Sequence, residues 1–214
     1  MTTDIRPSAV SDRSINLLVA AALLAIALGF AVQGGLILFR LSTGLTAPAI
    51  KMTADALSGV AWSAIVCSGI AIGMGATRYR ARLMGLLGLI CAPLGFALAK
   101  GVQKGVAVLS GTPAAPIDTL VLQIGGLKTI EYALLGVTLA WLLRSKRSTL
   151  GNHALTGLVF GLVFGGGILG LEMAAGVVPA TKLLGLVFNE VLFPIGCASV
   201  LYLVDRLASA GARA

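Results

Sequence analysis

Four carboxylates, Asp55, Glu131, Glu172 and Glu190, lie in or beside long apolar runs of a chain with only eight acidic residues among 214. An ionisable group inside a bilayer is costly to desolvate, so each is a candidate for handling an ion or a polar solute. Glu190 is the richest of them. Asn189 precedes it, and Pro194 has no N–H to offer the carbonyl of residue 190, so a carboxylate, an amide and a free backbone acceptor are expected in one turn. That set would hold a cation or a proton. Lys128 is the basic residue that could instead pair with Glu190 and lock two helices together.

Asp55 and Glu131 admit a plainer reading. Lys51 stands four residues before Asp55 and Lys128 three before Glu131, spacings at which a helix brings side chains together. An acid in the first helical turn also gains from the helix dipole. With Glu172 they are expected to line the outer approach to Glu190.

Other chemistry finds little material. The chain has no HExxH zinc motif, no GxSxG nucleophile elbow, no GxxxxGK[ST] phosphate loop and no paired intramembrane aspartates. A non-enzyme without cofactor or metal is expected. Cys67, Cys91 and Cys197 fall in apolar segments without ligand spacing and read as small core residues. His153, the one histidine, sits at the edge of a loop and is expected to be solvated or interfacial.

The elements that position these residues follow from composition. Hydrophobic residues make up 57% of the chain and charged ones 11%, and its mean hydropathy is +0.99. Lipid, not water, is the expected solvent. A net charge of +8 would suggest nucleic acid in a soluble protein, but the basic residues stand between apolar runs without interleaved aromatics.

A helix needs about 20 apolar residues to cross a bilayer and satisfies its backbone internally. Suitable runs lie at about 16–39, 52–76, 83–100, 127–144, 154–176 and 182–204, which predicts an all-α, six-helix integral membrane bundle forming a single domain over 1–214. The first run, at about 24 residues, is too long for a signal-peptide core.

Orientation follows from Lys and Arg in short loops. An inside N-terminus places Arg6, Arg13, Arg78, Arg80, Arg82, Arg144, Lys146, Arg147, Arg206 and Arg213 in the cytoplasm, against Arg40, Lys51, Lys100, Lys104 and Lys182 outside. Both termini are therefore expected inside, in a bacterial cytoplasmic (inner) membrane. Residues 102–126 read as a long outer connection, with Asp118 starting a short apolar helix that ends at Gly125-Gly126 and is either interfacial or re-entrant.

An internal repeat is also visible. Leu28-Gly29-Phe30, Leu94-Gly95-Phe96 and Leu169-Gly170-Leu171 each lead, after four residues, to Gly35, Gly101 and Gly176. Each following helix opens on a lysine, and Ala56-Leu57-Ser58-Gly59-Val60 parallels Ala133-Leu134-Leu135-Gly136-Val137. Three tandem hairpins in a parallel pseudo-threefold arrangement are expected, with Gly29, Gly95 and Gly170 at similar depth. Gly157, Gly161 and Gly165 form small-xxx-small steps that let helices approach closely.

These features point to a small transporter or channel for a cation or small polar solute. Asn189 and Glu190 would form its site, with Lys128, Glu131, Glu172 and Asp55 around them. The alternative is a non-catalytic subunit, assembly factor or anchor of a larger membrane complex. The expected partners are the lipid bilayer and either further copies of the chain or other membrane subunits, with no nucleic acid.

Overall fold

The computed structural model describes residues 8–45, 48–76, 78–113, 116–176 and 178–210, with side chains between 18 and 209. Arg6, Arg213 and the side chain of Arg13, used above for orientation, lie outside the described residues. The described chain is all helical: α1 Ser8–Thr43, α2 Ala49–Gly73, α3 Arg80–Leu109, α4 Thr119–Arg144, α5 Leu150–Ala175, α6 Ala180–Val187 and α7 Phe193–Ala210, with a π-helical turn Phe188–Leu192 between the last two. Counting α6, the π turn and α7 as one rod, six helices are long and apolar enough to cross a membrane. Large apolar side chains such as Leu23, Phe30, Leu122, Trp141 and Val163 are exposed. Such surface suits lipid and would be a liability in water.

Local signals set the ends. Pro48 and Pro179, which lack an N–H, precede α2 and α6 at helix starts where no donor is required. The Asp118 carboxylate accepts from the Val121 amide at 2.9 Å and the Thr149 hydroxyl from Asn152 at 3.2 Å, capping α4 and α5. Gly111, at φ +67°, turns the chain out of α3.

Two expected boundaries are corrected. The outer connection is not 102–126, because α3 continues to Leu109. Nor does Asp118 open a short separate helix: it caps the whole of α4, which passes through Gly125-Gly126 without a break. Lys100, Gln103 and Lys104 lower the hydropathy of α3 locally, but they leave its hydrogen bonding intact.

Each helix packs on its neighbours in sequence, and α7 returns to α1, so the spans form a closed ring with α2 also touching α7 across it. The core is built from Val66, Ile70, Met84, Tyr132, Leu135, Leu139, Phe193, Cys197 and Leu201. Cys67 and Cys197 are buried there and Cys91 is half-buried.

Glycine sets how close the rods come. A Cβ on Gly88 would stand 2.2 Å from the Tyr132 carbonyl oxygen, and one on Gly136 2.5 Å from that of Met84, so α3 and α4 touch backbone to backbone. Gly157 meets the backbone of Pro194 and Gly161 that of Glu190 and Val191 in the same way, while Gly165 meets the Glu190 side chain. The repeat glycines are less alike than their motif. Gly29 abuts Val60 and Gly95 abuts Val66 and Trp62, whereas Gly170 faces nothing within 4 Å.

The ring has two different ends. The turns at 74–79 and 145–149 are tied to α7: Arg80 donates to the Met74 carbonyl at 3.1 Å and pairs with Asp205 at 3.5 Å, while Arg206 donates to the Ser148 carbonyl at 3.1 Å. His153, expected to be solvated or interfacial, lies at this end but is buried. Its Nδ1 lies 2.8 Å from the Thr149 carbonyl oxygen and its ring 5.0 Å from that of Tyr202. The described connecting residues 44–45 and 48, 110–113 and 116–118, and 176 and 178–179 belong to the other end.

Gly161→Ala, whose new methyl would stand 2.7 Å from the Glu190 carbonyl oxygen, is expected to destabilise the fold by about 1–3 kcal/mol through overpacking. Gly166→Ala, which meets nothing within 4 Å, is expected to be neutral or to stabilise by up to about 1 kcal/mol through helix propensity. Thermal unfolding of both variants in one detergent checks the contrast, and equal shifts would contradict the packing.

Candidate functional site

Pro194 shapes the centre of the site. It withholds the amide that an α-helix would direct to the carbonyl of residue 190, and over Phe188–Leu192 the rod widens into a π turn. The small surface of α5 lets that turn lie against it, with a Cβ on Gly165 only 2.8 Å from that of Glu190. The carboxyl group of Glu190 thereby reaches Lys128 of α4, with Nζ 2.5 Å from Oε2. Both side chains are 9% exposed. The Lys128 ammonium also sits 5.0 Å from the centre of the Trp62 ring, which is packed edge-on to Tyr132.

Asn189, on the same turn, accepts at its Oδ1 from Gln33 Nε2 at 2.7 Å, which joins α1 to the last span. Gly59 makes room for that glutamine, since a Cβ there would come within 2.3 Å of Nε2. Two further pairs stand nearer the loops. Asp55 lies 3.4 Å from Arg40 and 3.4 Å from Lys51, and Lys182 pairs with Glu172. Arg40 is buried and also donates to the Thr181 carbonyl at 3.4 Å, with Gly185 open beneath its guanidinium.

Together these groups surround a cavity of about 510 Å³, to which all six spans contribute. Lys128, Asn189 and Glu190 line it, as do Asp55 and Glu172. Glu131 does not. It is fully buried beside the Lys128–Glu190 pair, and neither of its carboxyl oxygens has a hydrogen-bond partner among the described residues. Of the two partners that the sequence offers Lys128, the structure pairs it with Glu190 and not with Glu131, and the expected Lys51–Asp55 pair forms.

Sequence reasoning passed over Gln33, Arg40 and Lys100 as site residues. Gln33 stands two residues before Gly35 and Lys100 directly before Gly101, the closing glycines of the first two repeats, so their position near the motif's end was the available signal. The wall carries five cations, Arg40, Lys51, Lys100, Lys128 and Lys182, against three carboxylates, Asp55, Glu172 and Glu190. Each carboxylate is engaged. Lys100 is the cation of the wall outside every ion pair among the described residues; it donates to Gln103 Oε1 at 3.4 Å and lies 5.6 Å from the Phe96 ring centre.

Removing one member of a buried pair strands the other charge, a loss of about 3–5 kcal/mol, whereas replacing both by apolar groups is often neutral or better. Lys128→Met and Glu190→Met are each expected to lower thermal stability by that order, and the double variant to recover most of it. Additive losses in the double-mutant cycle would show that the pair is not coupled. Glu131→Met, which removes an unpartnered buried carboxyl, is expected to stabilise by about 1–3 kcal/mol on the same assay.

Comparison of the chain with protein-family models, with curated proteins and with solved structures gives no match. The geometry of this cavity is what bears on function.

Proposed function

We propose that the chain is a small multi-pass membrane carrier or channel, non-catalytic, whose solute site is the cavity shared by its six spans. The observation that carries this reading is convergence: every span turns polar or charged side chains toward one space in an otherwise apolar bundle. Intramembrane charge is retained where it lines a pathway or a site.

The sign of the cavity refines the class of solute. The acids that suggest a cation in the sequence are each held by lysine or arginine, and the wall carries a formal excess of two positive charges. A concave wall of one sign between apolar flanks concentrates counter-ions. This supports an anionic group, with Lys100 as its first contact, over a bare cation. The arginine- and lysine-bearing turns at 78–82 and 144–147 support a cytoplasmic position for that end of the bundle. The cavity end then faces outward from a bacterial cytoplasmic membrane. Common ancestry of three hairpins rests on the sequence pattern, and the size of the bundle favours a homo-oligomer.

Purified protein in proteoliposomes should take up radiolabelled acetate or succinate above empty vesicles and take up tetraethylammonium no faster than they do. Lys100→Gln should reduce anion uptake about tenfold, the loss of one charge-assisted contact of about 1.4 kcal/mol. Preferred uptake of tetraethylammonium would reverse the assigned sign. Absence of flux with stoichiometric co-purification of other membrane subunits would place the chain as a subunit, assembly factor or anchor instead.

A further inference from the structure

Beside the polar cavity lies a second space of about 870 Å³, bounded by the start of α2, the second half of α3, residues 110–113 and 116–117, and the first half of α4. Its existence follows from missing side chains. Gly101 on α3 and Gly126 on α4 meet nothing within 4 Å where a Cβ would stand, and Gly125 touches only the edge of Phe96. The two helices, in backbone contact at Gly88 and Gly136, therefore leave a groove between them toward the loop. Its walls are chiefly aliphatic, from residues such as Ala97, Val106, Ala107, Val121 and Leu122. Leu122 and Ile117 at its rim are about two-thirds exposed, 65% and 64%, so the groove has an apolar border of the kind that faces acyl chains.

The groove and the cavity share a wall. Lys51, Asp55, Phe96, Lys100 and Gln103 border both spaces. Phe96 carries the apolar side of the junction, and Lys100, the cation without a carboxylate, stands above its ring. Lys104, with no ion pair among the described residues, adds a second positive charge on the groove side. A ligand that satisfied both spaces would need a negative head at Lys100 and a hydrocarbon tail along α3 and α4.

We propose that the substrate is an anionic amphiphile, its carboxylate or phosphate head bound at Lys100 in the polar cavity and its tail in the groove between α3 and α4. This rests on the reading of the cavity as an anion site and names the class of anion. An uncharged lipid leaves the two lysines unmatched, and a short anion leaves the groove unfilled. Measured from water, each buried methylene adds about 0.8 kcal/mol, a gain that the bilayer also gives, so the groove's own share is the tail-length dependence that filling the groove abolishes.

The test uses the full chain in nanodiscs of zwitterionic phosphatidylcholine. Its probes are a hexadecanoate with a photoreactive tail and the matching uncharged hexadecanol, with acetate, octanoate and inorganic phosphate as competitors. Photolabelling by the hexadecanoate should concentrate on 93–107 and 121–129, exceed that by the alcohol at least fivefold, and fall at least fivefold in Lys100→Gln. Octanoate should compete at far lower concentration than acetate or phosphate, which identifies a lipid-borne head rather than a free ion. In Val121→Trp, which fills the groove, octanoate should compete no better than acetate.

Labelling spread evenly over the lipid-facing helices, or indifferent to head charge, would show bulk lipid contact and overturn the proposal. Equal competition by acetate and octanoate in the unmodified protein would also overturn it, while leaving the anion site standing. No competition by any anion would remove both.

Discussion

The contact between Lys128 and Glu190 organises much of this molecule. Two opposite charges buried among Trp62, Tyr132 and the α5 glycines hold each other only if the backbones carrying them are placed to within a fraction of an ångström. Several features serve that placement. The proline four residues after Glu190 opens a π turn, Gly161 and Gly165 let the turn settle against α5, and α4 brings the ammonium from the other side. The pair in turn joins α4 to the last span, two elements that otherwise touch little, and it forms the floor of the cavity.

Above that floor the packing follows a different rule. Around α3 and α4 the backbones meet where glycines face carbonyls and separate where glycines face nothing, so the same residue type produces both the tightest contact and the widest gap. The helices touch at Gly88 and Gly136, and the missing side chains at Gly101 and Gly126 leave the wedge toward the loop unfilled. Apolar burial alone would have closed it. The lysines at its edge cannot be buried unpaired, which keeps the inner side of the wedge polar.

The six spans were legible because twenty-odd apolar residues in a row have few alternatives in lipid. The ends of α3 and α4 were not, since hydropathy falls at Lys100, Lys104 and Gln123 while the helical hydrogen bonds continue. Partner choice was the harder part. Lys51 and Asp55 are neighbours on one helix, and local spacing found them; Lys128 had two candidate partners in the sequence, Glu131 on its own helix and Glu190, and the fold selects the one 62 positions away. Spacing along a helix says which side chains share a face, not what that face meets. His153 was misjudged for the same reason, since its burial depends on Tyr202 and on the arginine ties of α7. The repeat motif predicted glycines at a common step, yet the crowding around each one is decided by its neighbours, and Gly170 has none within reach.

The two ends of the ring are fastened by different means. At one, Arg80 and Arg206 donate to main-chain carbonyl oxygens, acceptors that carry no net charge, and Arg80 also pairs with Asp205. At the other, the spans are bridged by lysine and arginine side chains reaching carboxylates across the cavity. Any anion that entered there would compete with those carboxylates for the same cations. The bundle is built like a clothes-peg, with a spring pinned in part to neutral carbonyls and jaws clasped by paired charges.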